Sequence, residues 1–204
     1  MATAVITASA SIVVAVLVFL LNRQNQYQFE RRQALLTRVN AQLRELYGPL
    51  HALVGVNELA WRSLRDSAVL PASEDRIDAG RLGERELAIW RAWLDYALMP
   101  ANVKMRELIL AHADLIIEAE LPPPLLAFCA HVSTYEVMLQ SGTKSGLAAG
   151  SKLIGHPGAS YVDYVDRSFA ALKAEQARLL SLTAVGRRRL TLSGKRAGGP
   201  QGPV

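Results

Sequence analysis

The chain has little of what most reaction chemistry needs. It carries one cysteine, Cys129, in 204 residues, so no intramolecular disulfide can form. Because Cys129 falls in an apolar helical run, it is expected to be a buried, reduced thiol. Clean alternation of apolar and polar residues is nearly absent, which removes the strand signal. His51, His112, His131 and His156 are scattered, and no Glu-x-x-His or His-x-x-x-His spacing sets two ligands on one helix face. The glycines of "GTKSGLAAGSKLIG" lack both the strand-to-helix setting and the Gly-Lys-Ser/Thr order of a phosphate loop. No Ser or Cys lies in a nucleophile elbow. These patterns predict no catalytic residue, no cofactor and no resident metal. Asp114 and Glu118, four residues apart, read as solvated acids one turn apart on a helix.

Acid is also missing from the end of the chain. Residues 186–204 hold Arg187, Arg188, Arg189, Lys195 and Arg196 with no Asp or Glu, so they account for the whole formal charge of +5. The remainder is neutral, so the basic balance does not describe a basic globular face, and nucleic acid is not an expected partner. Residues 184–204 are expected to form a disordered basic tail whose Arg triplet touches lipid phosphates.

What is present begins with an apolar run. Residues 2–21, "ATAVITASASIVVAVLVFLL", contain no charge, no Gly and no Pro. As a helix they span about 30 Å, the thickness of a bilayer core, so residues 1–22 are expected to be a transmembrane anchor. A cleaved signal peptide would need a basic start and small residues after the apolar core, whereas Thr7, Ala8, Ser9, Ala10 and Ser11 precede it here. Arg23, Arg31, Arg32 and Arg38 follow the run against one acid, Glu30. The body is therefore expected on the cytoplasmic side of the inner membrane, with the N-terminus outside.

Residues 23–48 are expected to be a helical stalk. Phe29, Leu36, Val39, Leu43 and Leu46 recur at three- and four-residue steps, interrupted by Arg32, as in a coiled-coil seam. In the same phase lie Ala4, Ala8, Ser11 and Ala15, small residues that let membrane helices approach closely. The seam predicts a parallel homodimer. Its rival packs Leu43 and Leu46 on the protein's own body. A second reading of the stalk lays its arginines on anionic headgroups. "YGP" reads as the stalk's joint with the body, Gly48 closing one helix in the left-handed conformation and Pro49 opening the next. A kink within one continuous helix is the alternative.

Residues 49–183 are expected to form an all-α bundle of four or five helices. One apolar face is expected on Leu53, Val56, Ala60 and Leu64. Another lies on Leu87, Trp90, Leu94 and Ala97, in a helix ended by Pro100. The next helix covers residues 101–121 and is stopped by Pro122, and further faces carry Leu125, Phe128, Val132, Tyr135 and Leu139, then Val165, Phe169, Leu172 and Leu179. The connections at 66–84 and 142–160 are the expected mobile parts.

"LRELYGPL", "MPANVKMRELILAHADLI", "LPPPLLAFCAHVSTYEVML" and "DRSFAALKAEQARLL" together resemble a recurring set of small bacterial single-pass membrane proteins with a helical cytoplasmic domain of no agreed activity. The resemblance implies architecture and brings no catalytic residues. The expected function is a membrane-tethered interaction or scaffold module that holds an unidentified cytoplasmic protein. The alternatives are a ligand sensor using a loop at 66–84 or 142–160, and an enzyme assembled from distant helices, whose first clue would be clustering of His112, His131 and Tyr135.

Overall fold

A computed structural model describes residues 2–67, 82–140 and 154–196, with the backbone alone at 2–13, 138–140 and 183–196. Among the described residues the chain is all-helical, with four helical stretches and no strand.

The first stretch joins α1 (Ala2–Ala41), a π-helical turn π1 (Gln42–Tyr47) and α2 (Gly48–Asp66) without a break. The joint expected at Gly48 and Pro49 is corrected here. Proline lacks an N–H, and in a regular α-helix its ring clashes with the carbonyl four residues back. In π1 the hydrogen bonds step to the fifth residue, so that Gly48 N–H bonds to the Leu43 carbonyl. The widened turn carries Pro49 past the obstruction, and the helix continues. Gly48 is right-handed, with φ −67° and ψ −55°. Glycine is required there for closeness: a Cβ would overlap the carbonyl oxygen of Leu43.

The second stretch repeats the device. The helix α3 (Glu84–Trp93) passes through π2 (Leu94–Leu98) into α4 (Met99–Ala111), and Met99 N–H bonds to the Leu94 carbonyl. Pro100 therefore does not end a helix as its position predicts. Instead α4 ends at Ala111, followed by a 3-10 turn over Ala113–Leu115. Asp114 and Glu118 consequently do not share a helical face. The unwound segment is held by π1, where Gln42 Nε2 donates to the Leu115 carbonyl at 2.9 Å.

The third stretch is α5 (Pro123–Gln140) and the fourth is α6 (Ala159–Arg196). The backbone of α6 is helical to Arg196, so the tail expected to be disordered from residue 184 is helix over 184–196. Cations in the last turn of a helix complement the macrodipole, and Lys195 and Arg196 lie there. Residues 68–81 and 141–153, the greater part of the two expected loops, lie outside the described residues, as do 197–204.

The chain divides into two compact units. The body is Ala41–Lys173, so it begins within the expected stalk. Its interior is built from Leu43, Leu46, Tyr47, Leu50, Val54 and Leu64 of π1 and α2, Leu94, Leu98, Met105 and Ile109 of π2 and α4, Leu125, Phe128 and Val132 of α5, and Tyr161, Val165 and Leu172 of α6. On α2 the inward residues are Leu50, Val54 and Leu64, whereas Val56 is exposed. Apolar residues lie on several sides of α2, so periodicity alone does not choose its face. The other unit is Met1–Asn40 with Ala174–Val204. In it Val39 and Leu179 are buried, and Gln176 Nε2 donates to Asn40 Oδ1 at 2.7 Å.

These burials favour the rival packing, in which Leu43 and Leu46 lie against the protein's own body. Leu43 and Leu46 sit in the body's own core, Val39 is buried in the other unit, and Leu36 is half-buried. Burial within one chain stabilises each large side chain by about 1.5–3 kcal/mol without the entropy cost of association. Of the membrane-helix positions, Ala15 is exposed, and the side chains of Ala4, Ala8 and Ser11 lie outside the described residues. Among the described residues no helix is long and apolar enough to cross a membrane. The side chains of 2–13, more than half of the apolar run, lie outside that set.

Two glycines of the first stretch make opposite tests. Ala normally stabilises a helix over Gly by about 0.5–1 kcal/mol, and Gly55 has nothing within 4 Å of a Cβ. Gly55→Ala should therefore raise the urea midpoint of the chain. Gly48→Ala should lower it by about 1–3 kcal/mol through overpacking. Equal gains at both positions would show that π1 is not the native path of the helix.

Candidate functional site

Two polar clusters tie elements of the body together. The first starts at Tyr47, which π1 directs into the core, where it is fully buried. Its hydroxyl accepts a hydrogen bond from Ile117 N–H at 3.3 Å and lies 3.0 Å from the Tyr164 hydroxyl. Tyr164 in turn donates to Glu118 Oε2 at 2.8 Å. Since the Tyr164 proton points to the carboxylate, Tyr47 donates to Tyr164, and the chain of bonds runs in one direction. It fastens the irregular segment after α4 to α6. Burial pushes both phenols above their ordinary range.

The second cluster joins α5 to the start of α6. Phe128 stacks flat on Tyr161, with centroids 4.1 Å apart and planes 2° apart. The Tyr161 hydroxyl donates to Met105 Sδ at 3.4 Å, and burial raises this phenol as well. His156 stands edge-on to Phe128 at 5.5 Å and to His131 at 5.2 Å. Tyr135 lies 5.7 Å from His131. Beneath them Cys129 is buried and free, and burial raises its thiol.

Hydrogen bonding assigns the two imidazoles different roles. His131 Nδ1 lies 2.7 Å from the Ile154 carbonyl, which can only accept, so Nδ1 carries the proton. In the neutral ring that leaves Nε2 as the acceptor. Gly158 N–H donates to His156 Nδ1 at 2.9 Å, so the lone pair of neutral His156 is already engaged. For the two rings to share a metal ion, both would have to offer a lone pair, and the Gly158 bond opposes this. The geometry instead clips residues 154–158 onto α5. Gly158 itself has φ +59°, the left-handed turn that starts α6.

Of the trio proposed as an enzymatic clue, His131 and Tyr135 are neighbours, and His112 lies elsewhere, at the end of α4. His156 takes its place. No local signal marks His156, which sits in the glycine-rich stretch read as a linker. Glu136 is held by Arg106 at 2.6 Å, tying α4 to α5. His51 stacks on Phe169 at 4.3 Å and lies 3.4 Å from Asp166. Among the described residues no group of three or more His, Cys, Asp or Glu is placed to hold a metal ion. Arg23, Arg31, Arg32 and Arg38 are exposed on α1, and Arg187, Arg188 and Arg189 lie on α6 where the backbone alone is described. The chain matches no protein-family model, no curated protein and no solved structure.

The tyrosine chain carries two expectations. Tyr47→Phe and Tyr164→Phe should each cost about 0.5–1.5 kcal/mol in urea denaturation, because each removes the buried hydrogen bond between the two hydroxyls. The double variant should lose less than the sum, and strict additivity would show the hydroxyls to be independent. The folded state favours the neutral phenol of Tyr47, Tyr161 and Tyr164, raised from the ordinary 10.0. Their contribution is thus complete below about pH 10 and lost as pH rises beyond it. A urea midpoint that stays flat from pH 9 to about pH 11 would contradict this.

Proposed function

We propose that the chain is a membrane-tethered helical interaction module. The N-terminal half of α1 lies in a bilayer, and the body of residues 41–173 holds a protein partner at the cytoplasmic face. The observation that carries this reading is the exposure of Val14, Val16, Leu17, Val18, Phe19, Leu20 and Leu21, each 50–62% accessible. Successive helical residues point about 100° apart, so this run, with Ala15, is apolar on every side. It has no polar face to turn to water, and a helix apolar all round belongs in an apolar medium. Upstream, residues 2–13 continue without a charge.

The orientation is supported by the arginines that follow the run. Partner binding is supported by apolar side chains that the body leaves in solvent, with Val56 and Leu59 each 65% exposed on α2 and Tyr96 86% exposed in π2.

Membrane fractionation tests the anchor. The protein should pellet with membranes, resist alkaline carbonate and dissolve in detergent. Leu17→Arg with Phe19→Asp should shift it to the supernatant, each charge costing about 2.5–3.5 kcal/mol at the centre of a spanning helix. A wild-type protein released by carbonate would overturn the reading. An enzyme active only in the periplasm, fused after Val204, should stay silent. A protein co-purifying with the wild type should be lost on Val56→Glu with Leu59→Glu.

A further inference from the structure

The division into units exposes a charge separation hidden in the total. The unit containing α1, Met1–Asn40 with Ala174–Val204, holds ten Arg and Lys against Glu30 and Glu175, a net of +8. The body, Ala41–Lys173, holds thirteen against sixteen acids, a net of −3. The basic unit is also the one that carries the apolar run.

Its cations come from two helices. On α1, Arg23, Arg31, Arg32 and Arg38 are exposed and follow the apolar run directly. On α6 no acid follows Glu175. Because the backbone is helical to Arg196, Arg188 and Lys195, like Arg189 and Arg196, recur two turns apart on one side of the helix. The two helices are fastened where Gln176 meets Asn40, at 2.7 Å. Beyond that point α6 continues for about 30 Å to Arg196, and α1 runs back about 29 Å to Leu21, both at 1.5 Å per residue. The basic half of α6 is therefore long enough to reach the level at which the apolar run of α1 ends.

We infer that the C-terminal half of α6 is a second membrane contact, a basic arm that joins the arginines of α1 in binding anionic phospholipid headgroups. The inference rests on the anchored reading above. An anchor keeps these cations within reach of headgroups, where each Lys or Arg near an anionic surface contributes about fivefold in affinity. The body, with a net charge of −3, offers no comparable excess of cations.

The test uses the full chain with Thr191→Cys carrying an environment-sensitive fluorophore, since Cys129 is buried. The protein is reconstituted in vesicles of phosphatidylcholine alone, or with about one-third phosphatidylserine. The expected result is flotation with both vesicles but shielding of the label from an aqueous quencher only in the anionic ones. That shielding should disappear in about 1 M salt, where the Debye length is about 3 Å, and on replacing Arg187, Arg188 and Arg189 by Gln. Flotation with both and equal shielding in both overturns the arm and leaves the anchor standing. Flotation with anionic vesicles alone, reversed by salt, overturns the anchor and leaves the headgroup contact. Flotation with neither overturns both. Equal shielding in neutral vesicles by duplex DNA at matched phosphate would make the arm a general polyanion site and overturn its assignment to lipid.

Discussion

A proline inside a helix removes one hydrogen bond and pushes its ring at the carbonyl four residues back, so the chain must stop or widen there. This protein widens at both places where the question arises. At Pro49 and at Pro100 a π turn precedes the proline, and the residue just before it bonds five residues back. Much of the body follows from that choice. By continuing through Pro49, the helix places Gln42, Leu43, Leu46 and Tyr47 in the core. Gln42 and Tyr47 then supply the hydrogen bonds that the unwound backbone near Leu115 and Ile117 would otherwise lack.

The interior is therefore tied by a few directed polar contacts as well as by apolar packing. The Tyr47, Tyr164 and Glu118 chain crosses from π1 to α6. Arg106 and Glu136 join α4 to α5, and the Phe128 and Tyr161 stack joins α5 to α6. These contacts add directed hydrogen bonds and ring stacking to the apolar packing of the helices. His131 and His156 extend the same logic to the edge of the body, where they fasten residues 154–158 through backbone groups.

Separation of charge and of hydrophobicity coincide in this chain. The unit that carries the apolar run also carries the positive charge, and the body is apolar inside and mildly negative overall.

Composition and periodicity alone determined the all-helical class, the absence of a strand signal, the apolar run and its basic flank, the buried Cys129, and the inward faces of α5 and α6 on Leu125, Phe128, Val132, Val165 and Leu172. Each of these depends on local spacing, which a sequence displays directly. Tertiary structure decided the rest. Gly48 looked like a helix stop because Gly before Pro is locally the signature of one, and only the bonding across π1 shows that glycine serves close approach. Leu43 and Leu46 looked available to a second copy because a seam of leucines reads the same whether its partner is another chain or the chain's own core. His156 and the three buried tyrosines had no local mark at all. Their neighbours are up to 117 residues away in the chain, and nothing in a residue's immediate sequence records which distant side chain will be packed against it.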